Sequence, residues 1–282
     1  MTKRTRLIAL IDFSLYAHAI AELGNRWCKI ADADLLLLHK VPGIVPGMAD
    51  GETRLEIIKS EKEEALLKLM KLAEGKFPED INVKFHVTDR NLLLEISDLM
   101  KQGFNDYVIL GIKGTGMLKK ILMGSTATKI INELNAITVA VPDKLCTASS
   151  KLCNLVPKHI VVTINDRYAL NEPAFNNFLD TFRGSIGQIQ FMSVIHTEDA
   201  AAEIESYLKT LQERYNGKVP SSYSIFKGTN VFNEVRKNVQ INSDTILVVQ
   251  KGSRSLTDQL FRKFLINQLV HDGSLPLVIM PS

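Results

Sequence analysis

This sequence has little of what marks the specialised protein classes. Its three cysteines, Cys28, Cys146 and Cys153, are an odd set without CxxC spacing, so neither a disulfide framework nor a thiolate zinc site is expected. Only five apolar residues separate the basic start from Asp12, too few for a signal-peptide core or a membrane span. The net charge is only +3, from 34 Lys and Arg against 31 Asp and Glu, with no clustered basic run. That argues against nucleic acid as a partner. The six histidines, His18, His39, His86, His159, His196 and His271, are scattered without metal-ligand spacing. No G-x-S-x-G elbow and no paired catalytic carboxylates occur. The expectation is a cytoplasmic protein with no metal-ligating residues and with neither nucleic acid nor membrane as a partner.

What is present is a repeated alternation of buried strands and amphipathic helices. Arg6–Asp12 (RLIALID) and Asp34–Val41 are apolar runs of the kind found in strands covered on both faces. Ser14 is placed to cap the helix between them, whose small residues Ala17, Ala21, Gly24 and Ala31 let it lie close on a sheet. A charged helix over Thr53–Glu74 directs Leu55, Ile58, Ala65, Leu66, Leu69 and Leu72 inward. Ile81–Val87 alternates like an edge strand, and Asn91 caps the next helix. Asp106–Pro142 then supplies a strand, a glycine-bearing loop, a helix and a closing strand, ITVAVP. The βαβαβαβαβ order predicts parallel strands with helical crossovers. After a polar linker at Thr147–Val156 the alternation begins again at His159 and ends on PLVIMP, so the chain reads as an internal duplication.

The glycines of the first copy fall as Gly111-x2-Gly114-x9-Gly124, with Ser125 next. Glycines after a buried strand let a ligand approach the backbone, and Gly-Ser at a helix start offers free N–H groups and a positive dipole end to phosphate. Lys113, Lys119 and Lys120 add positive charge. If the fourth strand lies beside the first, Asp12 and Gly111 flank one crevice at the point where strand order reverses. The loop is neither a Walker A nor a dinucleotide fingerprint: Met117-Leu118 stand where Lys-Ser/Thr belongs, and Lys119 where a third glycine belongs. On spacing alone, a turn and an ordinary helix cap explain it equally well.

The same glycine spacing, the opening LIALIDFS, the second-strand LLLLH and the VxVP-like close resemble the universal stress protein family. The resemblance covers the first half throughout and the second half as a degenerate copy. It implies two tandem Rossmann-like domains (adenine nucleotide alpha hydrolase-like, α/β/α, each with a five-stranded parallel sheet), at 1–146 and 155–282. It also implies a stress-response or signalling role, with ATP or a related adenine nucleotide held by the first domain and Mg admitted with the phosphates. By motif, Asp12 contacts the adenosine moiety, the backbone of Lys40 meets the adenine, and Leu10 and Leu110 are apolar walls. Gly111, Lys113 and Gly114 line ribose and phosphates, and Gly124, Ser125 and Thr126 hold the phosphate tail. The family's glycine-bearing loop after strand three is Thr88-Asp89-Arg90-Asn91 here, so that rim differs.

Ungapped matching from the closing strands puts Gln250 opposite Gly111 and Ser253 opposite Gly114. Lys263 and Phe264 fall opposite Gly124 and Ser125, and Asn165 or Asp166 opposite Asp12. Phe264 removes the phosphate seat, so the second half is expected to be structural or an interaction surface. Two other functions compete with nucleotide sensing: a scaffold with a vestigial motif, and a slow ATPase, which lacks an evident base besides Asp12. By the family resemblance, the fifth strands, Ile137–Val141 and Leu277–Met280, pair edge to edge, as an internal pseudo-dimer or in a homodimer.

Overall fold

The computed structural model describes residues 3–14, 16–43, 50–75, 77, 81–112, 125–142, 155–164, 169–195, 201–228, 234, 237–238, 244–251 and 276–282. By packing, the chain divides into Met1–Gly111 and Ile112–Ser282. The first unit holds strands β1 (Thr5–Leu10), β2 (Asp34–Lys40), β3 (Val83–Thr88) and most of β4 (Asn105–Ile112). Its helices are α1 (Ala17–Ala31), α2 (Gly51–Ala73) and α3 (Leu92–Met100). All its strands are parallel, in the order β3-β2-β1-β4. β3 has the mixed, half-buried pattern expected of a strand at the edge of that set.

Residues in register on parallel strands point to the same face. Ala9, Leu35 and Ile109 share one, and a Cβ added at Gly24 of α1 would come within 2.9 Å of Leu35 Cδ1 and 3.7 Å of Ala9 Cβ. The missing side chain is what lets α1 settle on the sheet. The opposite face receives α3: Glu95 is buried and accepts from Thr88 Oγ1 at 3.1 Å and pairs with His86 Nε2 at 2.8 Å. Arg6 on that face is buried and closed on every side. Its guanidinium meets Asp106 Oδ1 at 2.7 Å, Gln102 Oε1 at 2.8 Å and the Leu99 carbonyl at 2.8 Å, and lies over the Phe104 ring.

Three local readings are corrected. α1 begins at Ala17 with Tyr16 as its N-cap and no side-chain cap; Ser14 lies two residues earlier, its Oγ accepting from Tyr16 N at 3.4 Å. α2 starts earlier than Thr53, because Asp50 accepts from Thr53 N at 2.7 Å and caps a helix beginning at Gly51. Leu55 is not inward but 71% exposed, while Ala65, Leu69 and Leu72 are buried. A helix of 23 residues is about 35 Å long, and the six- and seven-residue strands reach only about 20–23 Å. The first turns therefore outrun the sheet. Asn91 caps α3 as expected, accepting from Leu93 N and Leu94 N.

The second unit contains α4 (Ser125–Glu133) and β5 (Ile137–Pro142), then β6 (His159–Ile164), α5 (Glu172–Thr181), β7 (Gln188–Ile195), α6 (Ala201–Asn216), β8 (Ser221–Lys227), β9 (Thr245–Gln250) and β10 (Leu277–Met280). Five strands run parallel in the order β8-β7-β6-β9-β10. This is the same winding as in the first unit, with first, second and third strands outward on one side and the fourth on the other. β5 pairs antiparallel with β10, Val139 opposite Val278. β5 closes the first repeat in sequence yet is tied to a strand of the second. Phe175, Phe191 and Tyr215 interlock at centroid distances of 5.3 to 6.2 Å in the core beneath α5 and α6. The chain thus has an α/β, Rossmann-like fold with mostly parallel strands. The helix expected over Asn230–Gln240 lies mostly outside the described residues, and the one over Leu256–Val270 wholly so. No described helix is long and apolar enough to cross a membrane.

Candidate functional site

β1 is flanked by β2 and β4, so strand order reverses between β1 and β4. That is where an open parallel sheet leaves a crevice beyond its carboxyl ends. Ala9 stands beside Ile109, which brings Leu10 level with Leu110 and places Asp12 and Gly111 at the ends of neighbouring strands. Leu110 is buried and Leu10 half-buried, whereas Asp12 and Gly111 are exposed. Lys40 is exposed at the last position of β2.

The turn after β1 is built tightly. Ile11 N donates to Leu38 O at 2.9 Å, prolonging the pairing by one residue. Asp12 Oδ1 accepts from Ser14 N at 2.9 Å, which fixes the carboxylate on the turn. Phe13 between them has φ +54, a left-handed conformation that costs a residue with a Cβ roughly 1–2 kcal/mol. Its ring lies on that of His39, with centroids 4.3 Å apart. His39 Nδ1 lies 2.7 Å from Ile11 O; a carbonyl only accepts, so Nδ1 carries the proton. Burial lowers the His39 pKa below 6.5, against the opposing pull of the Ile11 carbonyl and the Asp12 charge, and Lys68 adds to the lowering. The neutral ring thus holds the turn from beneath. Among the described residues no three His, Cys, Asp or Glu side chains are grouped to hold a metal ion.

Gly111 carries an argument of its own. A Cβ there would meet only Ile20, at 3.7 Å, an ordinary contact, and its φ is not positive. Neither backbone conformation nor packing against the described residues calls for glycine. An exposed glycine at a strand end leaves the backbone open to close approach. Lys113, Gly114 and Gly124 lie outside the described residues. Ser125 is the first residue of α4, and Thr126 follows, exposed, in the first turn. No acidic side chain stands in that turn to occupy the positive end of the helix, and Ile130 and Ile131 bury its inner face.

At the matching place in the second unit, the end of β9, the Gln250 side chain spans three neighbours. Its Oε1 accepts from Asn171 N at 2.7 Å, and its Nε2 donates to Pro281 O at 2.9 Å and Lys251 O at 3.0 Å. Where the first copy has a bare glycine, the second has a side chain committed to its own loops. Ser253, Lys263, Phe264, Asn165 and Asp166 lie outside the described residues. The sequence reading missed Phe13 and the Gln250 bonds. Nothing in composition marks a phenylalanine for φ above zero, and a glutamine's partners come from three distant segments.

Residues 3–142 match the profile of the universal stress protein family. No curated protein sequence matches the chain. Among solved structures, a universal stress protein from Archaeoglobus fulgidus superposes with a TM-score of 0.67 at 14% identity, covering 98% of each chain. A putative universal stress protein from Pseudomonas aeruginosa gives 0.57 at 14% identity, over 98% of this chain and 93% of that one. The cytoplasmic domain of a prokaryotic cation chloride cotransporter gives 0.51 at 13% identity, over 98% and 95%. At these identities the likenesses establish the fold.

Proposed function

The segment 3–142 being a domain of the universal stress protein family, we propose that the protein binds ATP or a related adenine nucleotide there and acts in a stress response. The observation that carries the reading is Gly111: an exposed glycine at the reversal of strand order that the described packing does not need. Asp12, exposed on the neighbouring strand end and fixed by Ser14 N, accepts hydrogen bonds from a sugar hydroxyl. Leu10, Leu110 and the Lys40 backbone serve the nucleoside. Lys113, Gly114, Gly124, Ser125 and Thr126 serve the phosphates, which find at the start of α4 a helix end without an acidic competitor. Mg accompanies the phosphates. The site is read as a sensor rather than a catalyst, since the sequence offers no evident base besides Asp12.

Titration calorimetry with ATP tests this. Binding is expected in the unaltered protein, about tenfold or more weaker in Asp12→Ala and lost in Gly124→Val and Ser125→Phe. Equal affinity across these variants would remove the site assignment. Nucleotide released on denaturing the purified protein, read by mass spectrometry, identifies the natural ligand.

A further inference from the structure

We propose that the second half of the chain braces the phosphate helix, with Lys251 as the positioning residue; the functional part of this proposal rests on the nucleotide reading above. α4 has nine residues and carries no basic side chain in its last turn. So short a helix is marginal by itself, and its terminal carbonyls need partners. Leu134 follows it, buried, its N–H still donating to Ile130 O at 3.0 Å. The Leu134 carbonyl accepts from Lys251 Nζ at 3.1 Å, across 117 residues of sequence. The cation missing from the helix's own last turn is thus supplied from the end of β9.

Lys251 is itself fixed. Its N–H donates to Met280 O at 3.1 Å and its carbonyl accepts from Gln250 Nε2 at 3.0 Å. Gln250 in turn holds Asn171 N and Pro281 O. The bonds that fill the second copy's strand end therefore anchor the lysine that reaches back to the first copy's helix. In the ungapped match Lys251 stands opposite Ile112, which is buried, so the second copy has turned a core position into a reaching cation. A positive charge at the carbonyl end and phosphate at the amino end act on the same dipole, and each favours the helix orientation that the other needs. This gives the copy without a motif a role: it holds the helix whose first turn contains Ser125 and Thr126.

The test compares Lys251→Gln and Lys251→Arg with the unaltered full chain, by amide hydrogen exchange over 125–134 and by calorimetry with ATP. Lys251→Gln is expected to exchange several-fold faster in that segment and to bind ATP about two- to fivefold more weakly. Lys251→Arg, which keeps charge and donor, is expected to restore both. Unchanged exchange in Lys251→Gln, or no restoration by Arg, overturns the brace. Faster exchange with equal ATP affinity overturns its role in the site. If the unaltered protein binds no ATP, the nucleotide reading fails instead, and the exchange measurement alone decides the brace.

Discussion

His39 shows how a residue of modest chemistry can set the shape of a site. Its Nδ1–H bond to Ile11 O and its contact with Phe13 hold the turn carrying Asp12, and burial lowers its pKa. His159 is lowered for the same reason. A histidine depressed in the folded state leaves the unfolded chain binding more protons below 6.5, so stability is full above that value and declines as the pH falls through it. Urea midpoints taken from about pH 7 down to about pH 5 are expected to fall. In a His39→Gln, His159→Gln double variant that slope is expected to flatten; an unchanged slope would assign the acid sensitivity to other groups. At this scale the sequence showed Asp12 and Gly111 as candidates from residue type and spacing. It did not show Phe13, whose left-handed backbone is imposed by the tertiary turn.

The elements were more legible than the residues, because a strand covered on both faces and an amphipathic helix each leave a periodic trace. β2 lies where its apolar run predicts it, β6 starts at His159 where the alternation resumes, and α3 follows its Asn91 cap. α2 is less legible: its charged surface carries a weak apolar stripe, and the helical period points Leu55 inward although it is 71% exposed. The small-residue stripe of α1 predicts close packing, and at Gly24 the space left for a Cβ ends 2.9 Å from Leu35 Cδ1. Valine there would drive branched carbons into Leu35, which is fully buried, and would gain little helix propensity. Gly24→Val is expected to destabilise the protein by about 1–3 kcal/mol in urea or thermal unfolding. A neutral or stabilised variant would mean that α1 can move off the sheet.

For the whole molecule, the duplication predicts two crevices and the chemistry predicts one ligand. Gln250 bridges Asn171, Pro281 and Lys251 where Gly111 is bare, so calorimetry is expected to give one ATP per chain; a stoichiometry of two would overturn the loss of the second site. The sequence by itself determined the α/β class, the repeat and the alternation of strands and helices within it, since hydrophobic periodicity is local and each repeat contains its own strands and helices. It also determined which copy kept the glycines. Only the tertiary structure decided that β5 is tied to β10, that the carbonyl of Leu134 just after α4 accepts from a lysine 117 residues on, and that Gln250 fills its own strand end. Those are hydrogen bonds between backbone groups and distant partners. A backbone carbonyl looks the same at every position of a sequence until folding selects its donor.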